Sequence, residues 1–147
     1  MKRLSENRGF TLAELLIVVA IIGVLVAVSV PIFTNQLKRA RFATNQANAR
    51  AAYAAAMAWY MDNYNTDDYS YRDGGYYDVK TGTFIPGDLK GSYEFSLDTN
   101  IANWDIKSPF HAYSSKKWVT DKVYTKWEVY WDNSAFDGTI SNFAPRD

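Results

Sequence analysis

The sequence predicts an α+β fold in which one long N-terminal helix packs on a C-terminal antiparallel β-sheet. Three observations support this fold. Residues 15–33 carry no charged side chain, residues 47–58 contain eight alanines, and residues 123–131 alternate apolar and polar side chains. The first two patterns favour helices and the third a half-buried strand. The length of 147 residues suits one domain with an appendage.

The charge-free segment Leu15–Phe33 predicts a helix that crosses a membrane. Its 19 residues span about 28 Å at about 1.5 Å per residue, close to the roughly 30 Å of a bilayer core. Apolar side chains surround this helix on every side, which is typical of a membrane span or of the centre of a large core. A chain this short has no other segment able to bury it, so we expect the membrane span.

The helix is predicted to continue to Asn63, because only Pro31 interrupts the pattern after Leu12. Proline lacks an N–H group, so we expect a bend near Pro31. Beyond Phe33 the helix becomes amphipathic and carries two stripes. A mostly small stripe, predicted to let another helix approach, consists of Leu37, Ala40, Ala47, Ala51, Ala54, Ala58 and Met61. A larger stripe, predicted to pack on the sheet, consists of Tyr53, Met57, Tyr60 and Tyr64. The alternative is that both stripes are buried within the chain's own domain.

Strand patterns follow a loop-like region rich in Asn, Asp, Tyr and Gly. Tyr76–Val79 and Thr83–Ile85 predict a hairpin, and the later candidates are Tyr93–Leu97, Lys117–Thr120, Val123–Trp131 and Thr139–Phe143. Within Val123–Trp131, one face is predicted to carry Val123, Trp127, Val129 and Trp131, and the other Tyr124, Lys126, Glu128 and Tyr130. Short connections between strands favour an antiparallel sheet.

Composition excludes several classes of site. The absence of cysteine excludes disulfides and thiolate metal sites, and His111 is the single histidine, which we interpret as structural. The 16 basic and 16 acidic residues balance, unlike those of a typical nucleic-acid-binding domain. The spacing of the aspartates does not single out any pair of carboxylates as the catalytic pair of a hydrolase. Several of the tyrosines at 69, 71, 76 and 77 are expected to pack between the loop and the sheet or between neighbouring subunits. The alternative is that they bind a surface, a sugar or a partner.

We expect no cofactor, with calcium as the alternative. Oxygen ligands on turns can bind calcium, and two clusters have this character: Asp67, Asp68, Asp73 and Asp78, then Asp132, Asn133 and Asp137. Neither follows the EF-hand pattern, and turn formation explains the same residues.

The N-terminus carries the strongest functional signal. No small-residue cleavage site follows Phe33, so the apolar helix is expected to stay with the protein. Glu14 lies at the edge of the apolar run with no basic residue at helical spacing after it. Carboxylates in such places are usually paired and functional. The alternative is a hydrated residue at the level of the lipid headgroups.

The segment Gly9-Phe10-Thr11-Leu12-Ala13-Glu14, followed by an apolar run, a proline and an alanine-rich helix, resembles the class III signal of type IV pilins and pseudopilins. The resemblance covers roughly residues 1–60. It implies that a prepilin peptidase cuts between Gly9 and Phe10 and methylates the new Phe10 amine. It also implies that Glu14 pairs with the Phe10 amine of a neighbouring subunit, and that the helix partly unwinds between Gly23 and Pro31.

The resemblance implies a structural subunit without catalytic activity that polymerises with itself into a surface filament. Its implied partners are the prepilin peptidase, an assembly ATPase, a membrane platform protein and, before assembly, membrane lipid. The expected segments are a leader (1–9), a membrane and filament-core helix (10–33), an amphipathic helix (34–63) and a globular head (64–147). The head would lie outside the cytoplasmic membrane. The alternatives are a pseudopilin of a secretion or competence system and a monomeric membrane-anchored binding module.

Overall fold

The computed structural model describes residues 9–63, 73–89, 99–106, 122–132 and 139–146. Helix α1 spans Leu12–Asn63, which confirms the single long helix expected from the sequence. Four strands follow: β1 (Gly74–Asp78), β2 (Thr83–Pro86), β3 (Lys126–Trp131) and β4 (Ile140–Arg146). A short 3-10 turn covers Ile101–Asn103. The fold class is α+β, as predicted.

The four strands form one antiparallel sheet in the order β2-β1-β3-β4. The β1–β2 hairpin confirms the one expected from the sequence. Two glycines open β1: Gly74 has a φ of +131°, and a Cβ placed there would collide with the carbonyl oxygen of Val129. A Cβ on Gly75 would collide with the carbonyl oxygen of Ile85. Residues without side chains therefore allow β1 to lie between its two neighbours.

Two compact units make up the chain, with the boundary between Leu37 and Lys38. In the first unit, all described side chains of α1 are exposed, including the whole segment Leu15–Phe33. This helix is long and apolar enough to cross a membrane, judged by length and composition alone, although a signal sequence passes the same test. It remains helical through Pro31. The bend at that residue stays a prediction.

The second unit holds the hydrophobic core. Alanines on α1 lie in one cluster with large side chains of the sheet: Ala49, Ala52 and Ala56 with Trp127, Val129 and Phe143, each at most 1% exposed. The aromatic rings stack closely, with 5.6 Å between the ring centres of Trp127 and Phe143. Helix and sheet are therefore complementary in size, because small helix residues face bulky strand residues.

The predicted face of α1 toward the sheet is wrong in part. Tyr53 is 38% exposed, and Met57 and Tyr60 are half-buried at the margin of the core. The fully buried helix residues are instead Asn45 and the three alanines of the core. Indole rings on the sheet occupy the centre of the interface, so only small side chains fit there. Large helix residues lie beside them, as in the contact between Tyr60 and Trp131, whose ring centres are 5.4 Å apart.

The predicted alternation along Val123–Trp131 is confirmed within β3, where Trp127, Val129 and Trp131 are buried and residues 126 and 130 are half-buried, and it is wrong at residues 123 and 124. Tyr124 is buried while Val123 is 43% exposed. Asn45 explains the difference, because its side chain accepts from the Tyr124 N–H at 2.9 Å and donates to the Lys122 carbonyl at 2.8 Å. These bonds hold residues 122–124 against the helix, outside β3, and Tyr124 turns inward.

Glu128 shares a face of β3 with Tyr130, as predicted, and it is fully buried there. The Tyr130 hydroxyl donates to its carboxylate at 2.7 Å, and the Arg146 guanidinium lies 3.7 Å from it. The strand candidates at 93–97 and 117–120 lie outside the described residues.

Candidate assembly site at the helix N-terminus

The functional signal of the sequence falls on the first turn of α1 and the residues before it. Gly9, Phe10 and Thr11 precede the helix, which begins at Leu12. Phe10 is 76% exposed, and a Cβ placed on Gly9 would meet nothing within 4 Å. The Gly9–Phe10 peptide bond is therefore in non-helical, accessible chain, where a protease can reach it.

Glu14 and Thr11 bind each other in a capping box. The Thr11 N–H donates to Glu14 Oε2 at 2.9 Å and the Thr11 hydroxyl donates to the same oxygen at 2.7 Å. In return, the Glu14 N–H donates to Thr11 Oγ1 at 3.2 Å. These bonds satisfy backbone donors that the first turn of a helix otherwise leaves without partners. They also aim the carboxylate back toward the start of the helix.

The carboxylate keeps acceptor capacity after capping. Both bonds from Thr11 reach Oε2, and Oε1 receives none among the described residues. Glu14 also lies at the positive end of the helix dipole, which favours an anion there. The capping box therefore holds the Glu14 carboxylate in a fixed orientation, and its Oε1 is open to a cationic group.

Thr11 is a residue that the sequence analysis did not single out. The signal was present, because Thr-x-x-Glu ahead of an apolar run is the pattern of a capping box. The expectations for Glu14 are a charged partner or hydration, and the structure gives it a neutral partner in its own chain.

Gly23 and Pro31 lie farther along α1, apart from the capping box. A Cβ on Gly23 would meet nothing within 4 Å. Near Pro31, the Ser29 hydroxyl donates to the Leu25 carbonyl at 2.6 Å, and the Thr34 hydroxyl donates to the Pro31 carbonyl at 3.0 Å. Side-chain hydroxyls thus compete for helix carbonyls around a residue that cannot donate.

Comparison with known proteins identifies the N-terminal segment. Residues 4–30 match the family model described as the prokaryotic N-terminal methylation motif. This match covers the Gly9–Phe10 junction, Glu14 and most of the apolar helix. The segment at the start of the chain is therefore similar to the N-terminal methylation motif over 27 residues.

Curated proteins to which the chain is similar include major pilins. It is 38% identical over 65 residues to the type IV major pilin protein PilA of Myxococcus xanthus, covering 44% of this chain and 30% of the relative. It is 50% identical over 52 residues to the type IV narrow pilus major component PilA5 of Thermus thermophilus, covering 33% and 45%. It is 25% identical over 124 residues to the type IV major pilin protein PilE1 of Neisseria gonorrhoeae, covering 82% and 62%.

The match to the first two of these relatives spans less than half of their length. No solved structure matches the chain. The relatives of higher identity match less than half of this chain, so the fold of the head rests on the geometry described above.

The calcium candidates are only partly described. Within the described ranges, no three His, Cys, Asp or Glu side chains come together to hold a metal ion. The Asp78 carboxylate instead accepts from the Lys80 N–H at 2.8 Å, as expected for a turn. Asp67, Asp68, His111, Asn133 and Asp137 lie outside the described residues.

Proposed function

We infer that this chain is a structural subunit that polymerises into a type IV pilus after its leader is removed. The observation that carries the proposal is the exposed, charge-free helix Leu15–Phe33, which begins one residue after the capped carboxylate of Glu14. An apolar surface of this size is stable only in lipid or when covered by protein. A bundle of identical helices covers it outside the membrane.

Processing is the first step of the proposed function. A prepilin peptidase cuts the Gly9–Phe10 bond and methylates the new amine of Phe10. The accessible, non-helical position of this bond supports the assignment. N-terminal mass spectrometry of the mature chain is expected to find Phe10 first with one added methyl group. A mature protein that keeps residues 1–9 would contradict every filament-forming role.

Glu14 is proposed to select the register between neighbouring subunits. An α-amine is mostly cationic at neutral pH, and the Phe10 amine of a neighbour would bind the open Oε1 of Glu14. A carboxylate left alone in a dry helical bundle is costly. The pair therefore favours the one axial offset at which each amine meets a carboxylate.

Glu14→Ala tests this role. The variant is expected to insert and be cleaved normally but to give few filaments, because it lacks the acceptor for the neighbour's amine. Glu6→Ala is the matched control, since it removes a carboxylate from the leader and leaves the mature chain unchanged. Normal filament yield from Glu14→Ala would remove the proposed role.

Gly23 to Pro31 is proposed as the stretch that unwinds in the filament. Glycine and proline both weaken a helix, and the hydroxyl bonds around Pro31 support this. Gly23→Ala strengthens the helix by about 1 kcal/mol. It is expected to leave membrane insertion and cleavage unchanged and to lower filament yield. Equal yield would show that this segment need not unwind.

The remaining assignments follow the same proposal. The subunit waits in the cytoplasmic membrane with its head outside, then enters a surface pilus driven by an assembly ATPase and a membrane platform protein. It has no catalytic activity of its own and needs no cofactor. Calorimetry of the purified protein with calcium tests the last point, and a heat of binding would contradict it.

Electron microscopy of material sheared from cells tests the proposed function as a whole. Long filaments that contain this chain are expected. Short filaments, or filaments seen only on overproduction, would favour a pseudopilin. Dispersed monomers would favour a membrane-anchored binding module and would overturn the proposal.

A further inference from the structure

A surface groove lies in the second unit, between the amphipathic part of α1, the 3-10 turn with the two residues before it, and the start of β4. Its volume is about 640 Å³. Arg50, Tyr53 and Met57 line it from the helix at spacings of three and four residues, so they share one helix face. Thr139 and Ile140 line the opposite side. The groove thus combines apolar side chains with one cation and several hydroxyl groups.

The lining of this groove suits a carboxylate next to an apolar side chain. Arg50 is exposed and forms no ion pair or hydrogen bond among the described residues. No acidic side chain lines the groove in the described part of the chain. A guanidinium with hydroxyl donors beside it binds carboxylates well. Met57 and Ile140 offer an apolar contact for a neighbouring group.

The C-terminal turn of α1 carries the complementary pair of side chains. Asp62 is exposed and has no hydrogen bond or ion pair among the described residues. Its neighbour Met61 is 73% exposed. The last turn of α1 contains no basic residue, and a carboxylate at the negative end of a helix dipole is unfavourable. A cation from elsewhere would remove this local cost.

Arg50 cannot provide that cation within its own chain. Arg50 and Asp62 are twelve residues apart on one helix, a separation of about 18 Å at about 1.5 Å per residue. We propose that the Arg50 groove receives Met61 and Asp62 from a second copy of this chain. Arg50 pairs with Asp62 there, and Met61 packs on Met57 and Ile140.

This contact joins two different surfaces of identical subunits. Such a heterologous contact does not close on itself unless the rotation between subunits forms a ring, and otherwise it propagates as a helical filament. The proposal therefore rests on the proposed function and adds to it a specific contact between heads. The filament would be held by this contact as well as by its apolar helices.

Cysteine cross-linking in the full chain tests the contact. The natural sequence has no cysteine, so introduced thiols report only on themselves. Disulfide formation needs Cα atoms within about 7 Å, which excludes a bond between positions 50 and 62 of one chain. Mild oxidation of filaments and membranes from the double variant R50C/D62C is expected to give a ladder of covalent oligomers. Each single variant would give dimers at most. Absence of the ladder would overturn the proposal.

Charge reversal gives an independent readout. Arg50→Glu and Asp62→Arg are each expected to lower filament yield about fivefold or more, since attraction is replaced by repulsion. The double variant is expected to recover most of it. Asp62→Arg places a cation at the negative end of the helix dipole, so monomer instability would not account for its defect. Lys80→Glu, an exposed site in the β1–β2 turn, is the control for net charge.

The outcomes separate this contact from the proposed function. Normal filaments from both single reversals would overturn the contact and leave the pilus assignment standing. If the wild-type chain forms no filament, the pilus assignment fails, and the ladder in membranes still decides whether the contact exists.

Discussion

At the scale of single residues, Glu14 has one partner in its own chain and one proposed partner in a neighbouring subunit. Within its own chain it caps α1 through Thr11, with bonds of 2.9 and 2.7 Å to one carboxylate oxygen. The proposed cleavage after Gly9 would leave this capping box intact, because both residues follow that bond. The carboxylate would therefore have a fixed orientation before the proposed pairing with a neighbouring subunit.

Thr11→Ala tests the capping box. The variant loses the hydroxyl that binds Glu14, so the first turn of α1 is expected to fray, with backbone amide exchange there about fivefold faster. Thr11→Ser keeps a hydroxyl and serves as the control. Hydrogen exchange measured by NMR in detergent micelles would show the difference. Equal exchange in the alanine and serine variants would contradict a capping role.

Arg146 and Glu128 form the second residue-scale feature, because both are charged and buried. The guanidinium donates to the Asp88 carbonyl at 2.6 Å and to its carboxylate at 3.2 Å, and it lies 4.4 Å from the centre of the Tyr76 ring. One side chain at the end of β4 thus contacts β1, β3 and the segment after β2. It connects the C-terminal strand to the rest of the sheet.

Removal of this arginine is expected to destabilise the head strongly. Arg146→Met leaves the buried Glu128 carboxylate without its cation, which costs about 3 kcal/mol. The double variant Arg146→Met/Glu128→Gln is expected to recover part of this loss, since no uncompensated charge remains. Urea unfolding followed by tryptophan fluorescence measures both. Equal stability of the single variant and the wild type would contradict the prediction.

At the scale of elements, α1 has two alanine-rich faces with different roles. Ala49, Ala52 and Ala56 are fully buried in the core, whereas Ala47, Ala51, Ala54 and Ala58 are exposed. Alanine is the best helix former, so both faces favour the helix. Packing requires small side chains only on the buried face, because tryptophan rings on the sheet fill the space opposite it.

Substitutions at two adjacent alanines test these two roles. Ala52→Leu inserts a larger side chain into the packed core and is expected to lower the free energy of unfolding by about 2 kcal/mol. Ala51→Leu changes an exposed position by the same volume and is expected to shift it by less than about 0.5 kcal/mol. Urea unfolding of the two variants provides the comparison. A similar loss in both would mean that the two faces are not distinguished in this way.

The sequence predicts that another helix docks on the exposed alanine face. The filament yield of Ala51→Leu tests this prediction. If that face packs against a neighbour, filament yield falls although monomer stability does not change. Unchanged yield would limit the role of these alanines to helix formation.

At the scale of the whole molecule, the chain divides between Leu37 and Lys38 into two compact units. The two units differ in what their apolar side chains do. The first unit exposes an apolar surface, and the second buries its own core, with Phe42 the first residue packed against it. Stability of the head therefore does not depend on the apolar segment.

Deletion of residues 1–37 is expected to give a soluble head with the same free energy of unfolding as the head of the full chain, because no core residue is lost. Circular dichroism and urea unfolding measure folding and stability, and the full chain in detergent is the reference. An unfolded fragment would show that the N-terminal unit contributes to the fold of the head.

Local patterns predicted much of this fold. The bounds of α1 follow from helix-forming residues between Leu12 and Asn63, and the hairpin of β1 and β2 follows from the turn at Lys80-Thr81-Gly82. Failures occurred where long-range contacts outweigh local pattern. Asn45 binds residues 122–124 across 77 to 79 positions of sequence, and this contact reverses the orientation expected for Val123 and Tyr124.

The sequence by itself determined the apolar helix, the glycine–phenylalanine junction and the position of the carboxylate, because each depends on residues close together in the chain. Tertiary structure decided which alanines are buried, which strand residue carries a buried charge, and that a groove forms beside Arg50. Those features depend on which distant side chains meet and how their volumes fit. Sequence spacing within one element does not contain that information.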